Sequence, residues 1–205
     1  FSAPLYYRGY PKSCCTSSNH VVCHGIPSEK ILYDGDVINV DVTAIKDGWH
    51  GDTSRMFIVG ECSIKAKKLI KVTYDSMMKA IKTIKANTKI GNIGYTIQKI
   101  VEAEGFSVVR DFCGHGIGKK FHESPNVLHY GEKNSGQELK EGMIFTVEPM
   151  INSGKFETKT LKDGWTAVTK DKSLSAQFEH TVGVTKEGYE IFTLSKKGLN
   201  FPPNL

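Results

Sequence analysis

The sequence predicts a single α+β domain over residues 1–205, built from two related halves. Three observations carry this reading. Two β-rich runs flank a tight turn between residues 37 and 59, an apolar stripe at helical spacing runs from Ala66 to Ile84, and one strand pattern closed by an acid occurs twice.

The elements follow in order. Val37 to Val42 alternates, with Ile38, Val40 and Val42 on one face and Asn39 and Asp41 on the other. Lys46-Asp47-Gly48 reads as a hairpin turn, and Met56 to Val59 continues the return strand. Ser63 is placed to cap a helix whose buried stripe is Ala66, Leu69, Ile70, Thr73, Met77, Ala80, Ile81 and Ile84, with lysines opposite. Gly91 to Gly94 is expected to break it, and a shorter helix carries Ile97, Ile100 and Val101 and stops before Gly105. Met143 to Glu148 is a β-rich run closed by Pro149, which keeps Glu148 extended. Further strands are expected at 165–169, 179–185 and 190–193, with Glu187-Gly188 as a hairpin turn.

The repeat lays residues 34–41 over residues 141–148. An acidic-Gly turn leads each strand and an acid, Asp41 or Glu148, closes it; His24-Gly25-Ile26 and His115-Gly116-Ile117 stand upstream in the same order. Two matches in one order point to a duplicated half-domain.

Composition bounds the function classes. Hydrophobic residues are 39% and charged residues 24%, a globular balance, and no apolar run approaches the ~20 residues of a membrane span. Twenty-seven basic and 22 acidic residues leave +5, which permits a polyanionic partner without requiring one. Phe1 to Tyr10 lacks the basic start and apolar core of a secretory signal, and the chain does not begin with Met, so its natural N-terminus is expected upstream. Cys14, Cys15, Cys23, Cys62 and Cys113 are odd in number and contain no C-x-x-C pair, which indicates reduced thiols in a cytoplasmic protein.

The informative residues are acids inside apolar strands. Asp41, Asp52, Glu148 and Glu179 each sit in or beside a β-rich run, and ionised carboxylates lose several kcal/mol of hydration when buried unpaired. The chain has only three arginines, Arg8, Arg55 and Arg110, so metal cations are the expected neutralising charge. His115, between Gly114 and Gly116, adds an imidazole, whereas His180 is expected to point away from Glu179 because strand neighbours face opposite sides. His24 and His122 remain as ring nitrogens for a substrate; His20 and His129 read as surface or core residues. Four carboxylates and one imidazole exceed one catalytic zinc site and fit two divalent ions ~3.5–4 Å apart that activate a shared water for hydrolysis.

Six motifs in order, Cys23-His24-Gly25-Ile26-Pro27, Asn39-Val40-Asp41-Val42, His50-Gly51-Asp52-Thr53-Ser54, Gly114-His115-Gly116-Ile117-Gly118, Thr146-Val147-Glu148-Pro149-Met150 and Glu179-His180-Thr181, closely resemble type I methionine aminopeptidase. The resemblance runs from about Gly9 to Thr193. It implies the pita-bread fold, two pseudo-symmetric halves around a dinuclear metal site, and a hydrolase acting as a monomer in the cytoplasm. By the same resemblance Asp41, Asp52, His115, Glu148 and Glu179 are the metal ligands, with Asp52 and Glu179 shared by both ions, which would be Mn, Fe, Co, Ni or Zn. The implied reaction is removal of N-terminal methionine from nascent chains with a small second residue, by attack of a metal-bridging hydroxide on the first peptide bond. His24 would contact the substrate amide, His122 would polarise the scissile carbonyl, and Glu148 would shuttle the proton; Tyr7, Tyr10, Cys15, Phe121, His122 and Trp165 would bound the methionine pocket. A monovalent cation near Asn19, Val21 and Ser175 is a further implication.

Two alternatives are compatible with the same motifs: a proline-specific aminopeptidase or prolidase on the same fold, and a non-catalytic ribosome-associated module. Lysines 65, 67, 68, 71, 79, 82, 85 and 89 form a basic helical face, read first as solvated and second as a transient ribosome contact. Two departures from the family pattern stand out. Pro4 lies where many relatives carry a thiol, and the helical segment that normally precedes the Gly-Tyr-Pro motif is not in this sequence.

Overall fold

The computed structural model describes residues 1–201. Its strands are β1 (Cys15–Ser18), β2 (Val21–Cys23), β3 (Val37–Lys46), β4 (Trp49–Ile58), β5 (Ser107–Val108), β6 (Gly114–Gly116) and β7 (Glu123–Val127) in the first part of the chain. β8 (Ile144–Val147), β9 (Met150–Asn152), β10 (Thr158–Thr160), β11 (Ala167–Thr169), β12 (Ser175–Gln177), β13 (Glu179–Val184) and β14 (Tyr189–Ile191) follow. Two helices, α1 (Ile64–Ile81) and α2 (Gly91–Ala103), lie between β4 and β5.

The main sheet runs β1-β3-β4-β13-β8-β6-β7, with β14 paired to β13. The order places the duplicated strands symmetrically: β4 and β13 meet at the centre, β3 and β8 flank them, and β1 and β6 lie outside. The expected two-half architecture is therefore visible in the strand order itself. Two three-stranded sheets, β10-β11-β2 and β12-β9-β5, complete the β structure.

Local chemistry accounts for the long elements. The β3–β4 hairpin closes through Asp47 (φ 52°) and Gly48 (φ 79°), a two-residue loop whose paired positive φ angles match strand twist. Ser63 caps α1 by accepting from the Ala66 N–H at 3.2 Å. The predicted stripe packs inward: Leu69, Ile70, Met77 and Ile81 join Ile93 and Ile97 of α2, Phe145 and Phe178 in one core.

One expectation fails. The pair Gly91 and Gly94 does not break the helical region; both lie inside α2, and the break falls at residues 82–90. Gly94 is there for space: a Cβ would meet the Leu128 and Tyr130 carbonyl oxygens at 2.6 and 2.5 Å. The two His-Gly-Ile motifs share a related constraint, since a Cβ on Gly25 would lie 2.2 Å from the Thr16 carbonyl oxygen and one on Gly116 2.1 Å from that of Ser124.

The face of β3 carrying Asn39, Asp41 and Thr43 is the inward one. Asn39 and Thr43 are each 2% exposed, while Val42 on the opposite face is 43% exposed. Five of the helix-region lysines are paired, Lys67 with Glu61, Lys68 with Glu104, Lys71 with Asp75, Lys85 with Glu187 and Lys89 with Glu138. These are solvent-exposed pairs, worth little in stability, and they offset much of the face's positive charge.

Candidate functional site

The central strands deliver the acids to one place. In the β3–β4 register Asp41 lies opposite Ser54 and Thr43 opposite Asp52, which puts these four side chains on one face. Glu179, the first residue of β13, also lies opposite Ser54. β8 pairs with β13 through Val147 and His180, and Glu148 follows immediately. His115 enters from β6. Ligating atoms of Asp52, His115 and Glu179 lie within 4.8 Å of one another. The His115 Nε2 is 3.8 Å from Asp52 Oδ2 and 3.6 Å from Glu148 Oε1.

Each donor is held by a specific partner. His115 Nδ1 lies 3.0 Å from the Gly116 carbonyl oxygen, which can only accept. The ring proton is therefore on Nδ1 and the Nε2 lone pair faces the carboxylates, as a metal-binding imidazole requires. The Thr43 hydroxyl donates to Asp52 Oδ1 at 2.7 Å, and the Asp52 N–H donates to the Thr181 hydroxyl at 2.9 Å. Thr146 accepts from the His115 N–H at 3.0 Å and donates to Glu148 Oε1 at 2.7 Å. Gln177 Nε2 approaches the other Glu148 oxygen at 3.3 Å, and His129 Nε2 accepts the Glu148 N–H at 3.1 Å.

The electrostatics show what this group lacks. Burial, then the negative charges of Asp52 and Glu148, holds Asp41 well above the usual carboxylate range. Burial and the neighbouring acids do the same to Glu179. Burial pushes Glu148 up to about 8 against the pull of its Thr146 hydrogen bond, and it raises Asp52 despite Thr43 and His115. Among the lining residues the only lysine or arginine is the exposed Arg8. An oxygen-rich donor set with one correctly oriented imidazole and no buried cation fits divalent metal, which supplies the missing positive charge.

Above this group lies a cavity of about 580 Å³, and the residues expected to bound the methionine pocket or meet the substrate line it: Tyr7, Tyr10, Cys15, His24, Phe121, His122 and Trp165 join the five donors, while Asn19, Val21 and Ser175 lie outside it. Pro4 lines it as well. The aromatic lining falls into two groups, one around Tyr7, Phe121 and His122 and one around Tyr10, Trp165, His24 and Phe112. Tyr7 meets Phe121 at 4.8 Å between ring centroids, Tyr10 meets Trp165 edge-on at 5.1 Å, and His24 stands edge-on to Phe112 at 5.4 Å. His24 has a left-handed backbone (φ 56°), uncommon outside glycine, and burial lowers its ring basicity. His122 touches His115 at 4.1 Å, and desolvation followed by neighbouring positive groups pushes it down to about 3, so it is neutral near pH 7.

His180 turns away as expected, its Nδ1 2.8 Å from the Thr193 hydroxyl. Sequence reasoning missed the supports. Thr43 and Thr146 stand two residues from Asp41 and Glu148, so strand alternation could have found them. His129, 1% exposed, reads from sequence as an unremarked core or surface residue, and no local signal ties it to Glu148.

Comparison with known proteins agrees with this geometry. The signature of metallopeptidase family M24 matches residues 3–186. A methionine aminopeptidase of Rickettsia prowazekii is 62% identical over 202 residues, 98% of this chain and 78% of the relative. Its crystal structure superposes with a TM-score of 0.94 over 95% of this chain and 79% of that one. A methionine aminopeptidase of Escherichia coli is 59% identical over 196 residues, 95% of this chain and 74% of the relative. A Pyrococcus horikoshii prolidase superposes at 0.69 with 23% identity, over 89% of this chain and 48% of the prolidase, a likeness of fold alone.

Proposed function

The chain belongs to metallopeptidase family M24, and on that premise we propose that it removes the N-terminal methionine from nascent proteins and peptides with a small second residue. The observation that carries this is the convergence of Asp41, Asp52, His115, Glu148 and Glu179 at the base of an aromatic, thiol-bearing cavity. These five would hold two divalent ions, of Mn, Fe, Co, Ni or Zn, with Asp52 and Glu179 shared. When bound, such a pair supplies a Lewis acid and a water nucleophilic at neutral pH.

The chain's own residues do the rest. Glu148 takes a proton from the attacking water and returns one to the leaving amine; Thr146 and Gln177 fix its two oxygens for that exchange. His122 donates to the scissile carbonyl and His24 contacts the substrate amide. Tyr7, Tyr10, Cys15, Phe121 and Trp165 receive the thioether, which packs well against ring edges.

The protein acts in the cytoplasm as a monomer, with transient ribosome contact. Its five free cysteines support that compartment, and no helix among the described residues is long and apolar enough to cross a membrane. A monovalent cation near Asn19, Val21 and Ser175 belongs to the same reading; there the Ser175 N–H donates to the Asn19 carbonyl oxygen at 2.8 Å and holds the two segments side by side. The reading is tested with Met-Ala-Ser, Met-Leu-Ser and Ala-Pro peptides on the metal-loaded protein. Methionine is released from the first and poorly from the second, with Ala-Pro left intact. Preferred cleavage of Ala-Pro, or turnover of Met-Ala-Ser by Glu148→Gln at the native rate, overturns it.

A further inference from the structure

Tyr7 contributes more to the cavity than an apolar wall. Its hydroxyl lies 3.0 Å from Nδ1 of His122, a residue 115 positions away, and that is the hydroxyl's sole hydrogen bond among the described residues. The two rings lie 5.1 Å apart, tilted by 31°. A short 3₁₀ turn presents Tyr7, and both its neighbours pass through the left-handed region, Tyr6 at φ 65° and Arg8 at φ 49°. Two non-glycine residues in that region on either side of one tyrosine mark a backbone held against its own preference, and such strain gathers where a side chain must be aimed.

The direction of the hydrogen bond follows from the partners. A phenol is a good donor and a weak acceptor, because its oxygen lone pair is delocalised into the ring. A bare imidazole nitrogen is a strong acceptor, and a neutral histidine offers one. We propose that Tyr7 is a positioning residue that donates to Nδ1 of His122, keeps the ring proton on Nε2 and so fixes His122 as a hydrogen-bond donor to the scissile carbonyl. This rests on the reading of His122 as the carbonyl's partner. The opposite tautomer would turn a lone pair on Nε2 toward an oxygen that gains negative charge in the transition state, replacing attraction by repulsion. The role is separable from the wall, since Tyr7→Phe retains the ring and its contact with Phe121.

The test is ¹⁵N NMR of histidine-labelled, zinc-loaded protein, in which two-bond proton–nitrogen correlations identify the tautomer of each ring. In the native protein His122 shows a protonated Nε2 and a bare Nδ1. In Tyr7→Phe the two tautomers mix, and kcat on Met-Ala-Ser falls about tenfold while KM stays within about threefold, the pattern of an interaction made in the transition state. A native His122 carrying its proton on Nδ1, or unchanged His122 nitrogen shifts in Tyr7→Phe, overturns the proposal. His122→Ala with undiminished kcat would instead sink the role assigned to His122 and leave the tautomer result standing.

Discussion

The backbone N–H of Glu148 donates to Nε2 of His129 across 3.1 Å, behind the cavity and out of reach of substrate. The proton of His129 is thereby placed on Nδ1, which has no hydrogen-bond partner among the described residues. Burial pushes this imidazole down to about 3, so it stays a neutral acceptor. His129→Leu leaves the buried Glu148 N–H unpaired, which costs about 1–3 kcal/mol. His129→Gln restores an acceptor and recovers part of that loss. Denaturant unfolding of both variants checks the ordering.

Thr43 tests the support of a donor without touching the donor. Its hydroxyl fixes Asp52 Oδ1 at 2.7 Å, and Thr43→Val removes that hydrogen bond at nearly constant volume. Metal affinity, measured by calorimetric titration, should weaken about 10- to 100-fold, the usual consequence of losing a group that orients a ligand.

The metal-free protein should show an unusual pH response. Glu148 has a folded value of about 8, above its ordinary 4.5, so between these the folded state holds a proton that the unfolded chain has lost. Stability from this group is complete below pH 4.5 and disappears as pH rises to about 8. Each such carboxyl contributes a slope of at most about 1.4 kcal/mol per pH unit. Asp41 and Glu179, also raised, act in the same direction. Divalent metal competes with these protons, so the rise in Tm on adding manganese should be larger at pH 8 than at pH 5.5.

Gly94 separates packing from helix propensity. Propensity alone favours alanine in a helix interior by about 1 kcal/mol. A Cβ there meets two backbone carbonyl oxygens at 2.5 and 2.6 Å, neither on a flexible side chain. Gly94→Ala should therefore lose about 1–3 kcal/mol, read as a lower Tm.

Part of this structure is legible in the sequence itself. The long hairpin, the Ser63 cap and the α1 stripe were readable because each follows a local rule of period, cap or turn. Among the short strands, β8, β11 and β14 overlap expected β-rich runs, whereas β5, β6 and β9, of two or three residues, were not legible, since they are too short to show a period. Gly94 reads differently in sequence because its requirement is not local: the oxygens that need a glycine there lie more than thirty residues away. On β3 the alternation was plain, but the inward face is the polar one, because it lines a charged site and not an apolar core. The site's donors stood out as acids among Val and Ile, whereas Gln177 and His129 have ordinary surroundings in sequence and acquire meaning only when folding brings them to Glu148.

The proposed function makes metal on the five donors a requirement for release of an N-terminal methionine. The most direct measurement is free methionine released from Met-Ala-Ser as metal-free protein is titrated with manganese. No release is expected before metal is added, release should rise with occupancy, and Asp52→Asn should give none at any manganese concentration. Release by the metal-free protein at the loaded rate, or native turnover in Asp52→Asn, would contradict it.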